Sequence, residues 1–362
     1  MSRVIFDWQV FAEQKYGGVS HYFFELMRAL ERRGNWTPVV APGIHVCPLP
    51  AEVETVGFKV RIPAFPHRVR ALRIANRMLH GSTVGRHNVA VYHPTWYDST
   101  TLDRFAHLPM VLTIHDLIPE RWPHGVGGPG LAQRREAIRR AVTVICVSEA
   151  TRERLVHYYP DSEHKARVAR LGLTIDPHTA RWSPSVPLTD TARYFAFVGK
   201  RGWYKDFETV VRALAKTRDV GLVVAGGGQL EPKFDRLIAE LGLANRIRVV
   251  PNPSEDRLVR ILQSSCGLIS ASREEGFGLP ALEALSLGVP ALLTDIAVYR
   301  ELFSRWAALY PVGDSTTLAT LIERTVTRPP PPVPAEVLTA AFSWDRAAAA
   351  TEAAYAAAAG SD

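Results

Sequence analysis

Residues 270–290 read SASREEGFGLPALEALSLGVP, and this stretch is the most informative part of the second half of the chain. The apolar run that ends near Ser270 predicts a buried strand, and the glycines after it predict a loop that opens a helix at Pro280. Gly276 and Gly278 would let the backbone approach a ligand closely. The free N–H groups at the start of the helix would then suit phosphate or hydroxyl oxygens.

Two glutamates belong to the same stretch. Glu275 stands in the loop, and Glu283 is predicted to lie in the first turn of the helix, so that both carboxylates border one crevice. Carboxylates accept hydrogen bonds from pairs of hydroxyls, which a ribose or a hexose presents. Glu283 could instead only complement the helix dipole, but that alternative leaves Glu275 and the glycines unexplained.

Outward from this loop, short β-branched runs alternate with amphipathic segments in both halves of the chain. The alternation predicts βαβ units around parallel sheets, and 362 residues exceed what one hydrophobic core usually organises. A stretch rich in Pro, Ser and Thr at 174–192 is the predicted linker. We therefore predict an α/β chain with doubly wound domains at 1–180 and 190–342, which face a central cleft, and a C-terminal helix at 343–362 that packs on the first domain.

Three further motifs lie where strands are predicted to end. The segment FVGKRGWYK carries Lys200, Arg201 and Lys205 after the first strand of the second domain, where cations can neutralise a diphosphate. In the first half, MVLTIHD places His115 at a strand end. A glycine pair, Gly17 and Gly18, precedes a helix and can expose backbone N–H groups to phosphates.

The glutamate pair and the downstream EALSLGVPALLTD resemble the E-x7-E signature of retaining glycosyltransferase family 4, whose members have the GT-B fold of two Rossmann-like domains. The resemblance implies that Glu275 contacts the hydroxyls of the transferred sugar and that Glu283 holds the ribose. It also implies that the backbone amides of Phe277–Leu279 meet sugar and phosphate, and that the glycine pair of the first domain lies near the donor.

The same resemblance assigns the cations and the histidine. Lys205 matches the family's lysine, and an arginine is expected a few residues before it. Lys200 stands directly after the glycine, whereas Arg201 has the right chemistry one place later; we prefer Arg201, because arginine grips phosphate bidentately. His115 would approach the donor sugar. The family needs no metal and no cofactor besides the nucleotide-sugar co-substrate, and its leaving diphosphate helps to deprotonate the acceptor, so no protein nucleophile is assigned.

The net charge of +7 is concentrated, since no acidic residue occurs from Phe58 to Tyr97. HRVRALRIANRMLHG reads as a basic amphipathic helix. It could be a solvated helix face or a contact with an anionic membrane surface. The predicted membrane contacts are Arg68, Arg70, Arg73 and Arg77. Nucleic acid is a poorer partner, because no recognised binding module is present.

The chain start lacks the pattern of a secretory signal and no apolar run reaches about 20 residues, which predicts a cytosolic protein that can be peripheral at the inner face of the membrane. The predicted function is a retaining, metal-independent hexosyltransferase of surface polysaccharide synthesis, acting on a glycan or lipid-linked hydroxyl. GDP-mannose is the first donor, because KYGGVSHYFFEL resembles polysaccharide mannosyltransferases. UDP-sugars are the alternative donors, and a non-catalytic protein that binds nucleotide sugars or membranes is the alternative class.

Overall fold

The computed structural model divides into two compact units. One unit comprises Met1–Gly172 with Phe342–Asp362, and the other comprises Leu173–Ala341. The structure describes residues 2–13, 17–63, 68–79, 89–123, 130–175 and 193–360. Most of the predicted linker, from residue 176 to residue 192, lies outside the described residues.

The chain order of elements follows the alternation seen in the sequence. The strands are β1 Ser2–Phe6, β2 Trp36–Val40, β3 Gly43–His45, β4 Glu54–Thr55, β5 Lys59–Arg61, β6 Val89–His93, β7 Val111–Ile114, β8 Thr143–Cys146, β9 Ala166–Val168, β10 Tyr194–Val198, β11 Gly221–Ala225, β12 Ile247–Val250, β13 Leu268–Ser270, β14 Ala291–Thr294 and β15 Ala308–Tyr310. The helices are α1 Gln9–Glu13, α2 Gly18–Arg33, α3 Arg68–Leu79, α4 Ser99–Arg104, α5 Ile118–Arg121, α6 Leu131–Arg140, α7 Glu149–Tyr158, α8 Phe207–Leu214, α9 Pro232–Glu240, α10 Glu255–Gln263, α11 Leu279–Ser286, α12 Ala297–Phe303, α13 Ser315–Thr327, α14 Ala335–Ala341 and α15 Trp344–Ala359.

The first unit is built on parallel strands. One sheet has the order β4-β2-β1-β6, a second has the order β7-β8-β9, and a single parallel bridge between Tyr92 and Met110 joins the end of β6 to the start of β7. The strands β3 and β5 form a separate parallel pair. β7 and β8 are buried throughout, as expected for parallel strands covered by helices on both faces.

The second unit holds one six-stranded parallel sheet of order β12-β11-β10-β13-β14-β15. The chain winds from β10 outward through β11 to β12, then crosses back to lay β13 on the other side of β10. This is the doubly wound arrangement that the sequence predicted, and it is confirmed. At such a reversal the loops after β10 and β13 leave in opposite directions, which opens a crevice at the carboxyl edge of the sheet.

The predicted C-terminal helix is confirmed as α15, which packs within the first unit. The Glu352 carboxylate accepts hydrogen bonds from Arg33 at 2.9 Å and from the Asn35 amide at 3.0 Å. Deeper in the unit, the Tyr355 hydroxyl lies 2.7 Å from Nδ1 of the buried His93. The alanines of the sequence give the segment high helix propensity, and their small side chains let α15 approach α2 closely.

Candidate functional site

The loops after β10 and β13 are fastened to each other at the point where the sheet reverses. Lys205 forms an ion pair with Glu275. The Arg273 amide donates to the Tyr204 carbonyl at 2.7 Å, and an Arg273 guanidinium nitrogen lies 2.9 Å from a carboxylate oxygen of Asp206. The two loops therefore bring a lysine and a glutamate from 70 residues apart into one cluster.

The Glu275 carboxylate is oriented by its neighbours. The Ser272 hydroxyl donates to Glu275 Oε1 at 2.7 Å, the same oxygen that the Lys205 ammonium contacts. The Thr294 hydroxyl in turn donates to the Ser272 carbonyl, which ties the loop to β14. Only 13% of the Glu275 side chain and 16% of the Lys205 side chain are exposed, so their charges are shielded from water and interact more strongly than a surface pair.

Gly278 sets the start of α11. Its φ of 99° lies in the left-handed region, and a Cβ added there would lie 2.6 Å from Tyr299 Cε1 and 3.2 Å from Phe303 Cε2. Gly278 has no side chain to cap the helix start, Pro280 has no N–H, and the Ala281 and Leu282 amides donate to the Gly278 carbonyl at 2.9 and 3.2 Å. Gly276 and Phe277 are buried beside this end, and Leu279 is its first helical residue. The arrangement suits an oxygen-rich anionic group.

Glu283 lies in the second turn of α11, and the prediction of a first-turn position is wrong. The helix begins at Leu279 rather than at Pro280, because Gly278 takes the left-handed N-cap position. Glu283 is half-buried, and burial together with the nearby Glu255 carboxylate raises its pKa to about 7. Since the helix dipole acts mainly within the first turn, complementing that dipole no longer explains Glu283.

Arg201 is buried, and its guanidinium faces the protein. It donates to the carbonyl oxygens of Gly199 and of four consecutive residues, 226–229, at 2.5 to 3.3 Å. Lys200, in contrast, is exposed. A guanidinium that is already bonded to carbonyls has few donors left for a diphosphate, and which of the two cations meets the diphosphate stays a prediction.

His115 directly follows β7 in the first unit. Its ring packs edge-on against Tyr22, with 4.8 Å between ring centroids. Burial and the neighbouring Arg134 lower its pKa to about 3, so the imidazole is neutral at physiological pH. Within the described part of the chain, its Nε2 is buried without a hydrogen-bond partner. A neutral imidazole can donate a hydrogen bond to a hydroxyl or accept one from it, but it carries no charge that could neutralise a phosphate.

Gly17 and Gly18 stand at the start of α2. Gly17 is the N-cap and Gly18 the first helical residue, and no side chain caps this end. Gly17 has extended backbone, with a φ of −175°, so its conformation does not itself require glycine. Lys15 and Tyr16 of the same motif lie outside the described residues.

Two arginines of the basic helix α3 form ion pairs within the protein. The prediction that Arg73 and Arg77 contact a membrane is therefore not supported. Arg73 pairs with Glu13, and Arg77 pairs with Asp98. Both acids lie outside the acid-free stretch and reach the helix only through folding. Side chains of the other two predicted contacts lie outside the described residues: Arg68 and Arg70. In the described ranges, no helix is long and apolar enough to cross a bilayer.

Several residues that build the site were not predicted. Ser272 orients Glu275, as described above, and the sequence around it reads only as a strand end. In the first unit, Arg134 donates to the Asp116 carbonyl at 2.8 Å and to the Glu120 carboxylate at 3.0 Å, which fixes the turn after His115. A signal existed for Arg134, since it lies three residues before the buried Ala137 on the apolar face of α6.

Comparison with known proteins agrees with this architecture. The first unit and the second unit match different family profiles: residues 16–176 match the one described as Glycosyltransferase Family 4, and residues 179–336 match the one described as Glycosyl transferases group 1. The fold is the GT-B fold, and both profiles describe glycosyltransferase domains. Together they support a glycosyltransferase of the GT4 type.

Individual relatives are distant. The D-inositol 3-phosphate glycosyltransferase of Mycolicibacterium gilvum is 30% identical over 209 residues, which cover 54% of this chain and 47% of that protein. The chain thus spans about half the length of this curated relative. Sucrose-phosphate synthase of Thermosynechococcus elongatus superimposes with a TM-score of 0.70 at 16% identity, covering 99% of this chain and 96% of its own. Anabaena HepE, solved with UDP-glucose, has a TM-score of 0.65 at 16% identity, with coverages of 97% and 95%.

Proposed function

We propose that this protein transfers a hexose, with retention of anomeric configuration, from a nucleotide diphosphate sugar to a hydroxyl of a glycan or lipid-linked acceptor. The observation that carries the proposal is the pairing of Lys205 with Glu275 at the edge between β10 and β13, next to the start of α11. A cation, a carboxylate and the N-terminal end of a helix are the features that suit a diphosphate and a sugar.

Each residue has a proposed task. Lys205 and the exposed Lys200 stabilise the diphosphate as it gains negative charge during cleavage of the glycosidic bond. Glu275 accepts hydrogen bonds from the sugar hydroxyls and orients the ring, and Glu283 accepts them from the ribose. Backbone amides of Phe277–Leu279 meet the phosphate. These tasks need no protein nucleophile and no metal ion, and the nucleotide sugar is the only co-substrate in the proposal.

The neutral imidazole of His115 remains the proposed group of the first unit that contacts the transferred sugar. Its low pKa supports a hydrogen bond to a sugar hydroxyl rather than a contact with phosphate. Arg134 acts on His115 indirectly in this proposal, because it holds the carbonyl of Asp116, the next residue in the chain. The glycine pair at the start of α2 is retained as a donor-phosphate contact through backbone N–H groups.

Two donors compete in the proposal. GDP-mannose rests on the sequence resemblance of the chain start, whereas a UDP-hexose is supported by the complex of HepE with UDP-glucose, a protein of the same fold. A thermal-shift comparison of UDP, GDP and ADP separates them, since a nucleotide that binds only the folded protein raises the melting temperature. We expect one of UDP and GDP to give the larger shift, and ADP to give little.

Incubation with a panel of nucleotide sugars then tests transfer itself. We expect release of the nucleoside diphosphate from one donor, stimulation by glycan or lipid-linked acceptors, and a product with the anomeric configuration of the donor. Lys205→Met should abolish this release while leaving the protein folded. Binding of a nucleotide sugar without release or transfer for any donor–acceptor pair would instead identify a non-catalytic binding protein.

We also propose that the protein works at the cytosolic face of an anionic membrane and contacts it through α3. On that helix Ile74 and Met78 are 50% and 79% exposed, and they lie one turn apart on the same side. Exposed apolar side chains on a basic helix are typical of interfacial binding. In sedimentation with anionic vesicles at low salt, we expect the wild-type protein in the vesicle pellet and a Met78→Glu variant in the supernatant. Equal recovery of both proteins in the supernatant would refute the contact.

A further inference from the structure

The surroundings of Arg201 are unusual for a cation that serves a ligand. Within the described residues, its five hydrogen bonds all run to backbone carbonyls, four of them in the turn 226–229 that follows β11. Its side chain is buried, and burial lowers its pKa. Burying a charge is unfavourable unless its hydrogen bonds are satisfied, so these carbonyls are what keeps the guanidinium in place.

The turn has a backbone that only glycine adopts readily. Gly226, Gly227 and Gly228 have φ values of 78°, 73° and 82°, which are all left-handed. The amides of Gly226 and Gly228 donate to the carbonyls of Val250 and Pro251, so one side of the turn is tied to the end of β12. The guanidinium of Arg201 donates hydrogen bonds to the carbonyls of the turn. A residue other than glycine would be strained in this left-handed conformation.

The turn also touches the backbone of the loop after β10. A Cβ added to Gly227 would lie 2.6 Å from the Gly199 carbonyl oxygen and 2.7 Å from the Lys200 Cα. A Cβ on Gly228 would meet no heavy atom within 4 Å. The position of Lys200 therefore depends on the turn, and the turn is held by Arg201.

We propose that Arg201 is a positioning residue. Its guanidinium clamps the turn 226–229 against the loop after β10, and this contact places Lys200 where it can meet the diphosphate. The inference rests on the proposed function for the role of Lys200, whereas the clamp itself is a property of the ligand-free protein. Arg201 acts through the backbone and does not touch the donor.

A double-mutant cycle separates positioning from direct contact. The affinities of UDP and uridine are measured by calorimetry for wild type, Lys200→Met, Arg201→Lys and the double variant, with GDP and guanosine as the second pair. We expect Lys200→Met to lower the affinity for UDP about tenfold and to leave the affinity for uridine unchanged. Arg201→Lys keeps the charge but loses the fork of donors, and it should weaken UDP to a similar extent. In the Arg201→Lys background, Lys200→Met should lower the affinity for UDP less than about threefold further, because the displaced Lys200 side chain no longer contributes to binding.

Two outcomes of the cycle would overturn the inference. If Arg201 contacts the diphosphate itself, the effects of the two substitutions multiply in the double variant. If Arg201 only stabilises the fold, Arg201→Lys lowers the affinities for UDP and uridine equally, or lowers neither.

Hydrogen exchange of the ligand-free protein tests the clamp without any nucleotide. We expect the Gly226 amide to exchange faster in Arg201→Lys and in Gly227→Ala than in wild type. Gly228→Ala is the matched control, because it imposes the same left-handed strain without the backbone clash, and it should disturb Gly226 less than Gly227→Ala does. Unchanged protection in Arg201→Lys would refute the clamp. Absence of nucleotide binding by the wild type would refute the proposed function and leave this result standing.

Discussion

Replacing Gly278 by alanine tests the local geometry on which the site depends. The substitution places a Cβ at a residue whose φ is 99°, and a left-handed conformation costs an L-residue about 1–2 kcal/mol. The same Cβ would lie 2.6 Å from Tyr299 Cε1, in a ring that is fully buried, and overpacking of this kind costs about 1–3 kcal/mol. We therefore expect Gly278→Ala to lower the free energy of unfolding by about 2–5 kcal/mol.

Gly242→Ala is the matched control for this prediction. Gly242 follows α9 with a φ of 65°, and a Cβ there meets nothing within 4 Å, so only the conformational cost of about 1–2 kcal/mol applies. Urea denaturation followed by circular dichroism measures both variants. Gly278→Ala should also weaken nucleotide binding, because the start of α11 must shift, whereas Gly242→Ala should not. Equal stability of the two variants, within about 0.5 kcal/mol, would refute the steric reasoning.

Three further predictions concern charge and buried hydrogen bonds. Lys205→Met and Glu275→Gln should each lower the free energy of unfolding by about 1–3 kcal/mol, with at least about 1 kcal/mol of coupling in a denaturation cycle, because the pair is shielded from water; additive effects would contradict this. Nucleotide affinity should fall as the pH drops below about 7, since burial raises the pKa of Glu283 to about 7 and the protonated carboxyl accepts hydrogen bonds from a pair of ribose hydroxyls less strongly than the carboxylate; Glu283→Gln should flatten that profile in calorimetry. Tyr355→Phe should destabilise the first unit by about 1–3 kcal/mol in thermal or urea unfolding, because Nδ1 of the buried His93 loses its hydrogen bond to the Tyr355 hydroxyl, and an unchanged stability would be inconsistent with that bond.

Much of the fold was predictable, because its signals are local. The strands β10 through β15 each appear as a short apolar segment between turn residues, and their alternation with helices leaves little freedom beyond a parallel sheet. The loop from Glu275 to Gly278 was also predictable, because a strand pattern ends before its glycines and a helix pattern begins after them. The strands β3, β4, β5 and β9 were not predicted, because each has only two or three residues and none lies in a longer apolar run of the sequence.

What could not be predicted depends on distant parts of the chain. Lys200 and Arg201 are adjacent and carry the same charge, and which of them turns inward is decided by carbonyls of the turn 226–229. In the same way, Glu13 and Asp98 reach Arg73 and Arg77 only when the first unit folds, so an acid-free stretch of sequence became an ion-paired helix. Local patterns thus pointed to candidate site residues, and tertiary contacts decided which of these side chains are already bonded within the protein.

The central claim is that a nucleotide diphosphate sugar binds at the carboxyl edge of the second unit, between β10 and β13. Hydrogen-exchange mass spectrometry of the intact protein, with and without saturating UDP, GDP, UDP-glucose or GDP-mannose, tests it most directly. We predict new protection in residues 199–206 and 271–283 with one nucleotide and its sugar conjugate, and loss of that protection in Lys205→Met. Protection confined to other segments, or none with any of the four ligands, would contradict the claim.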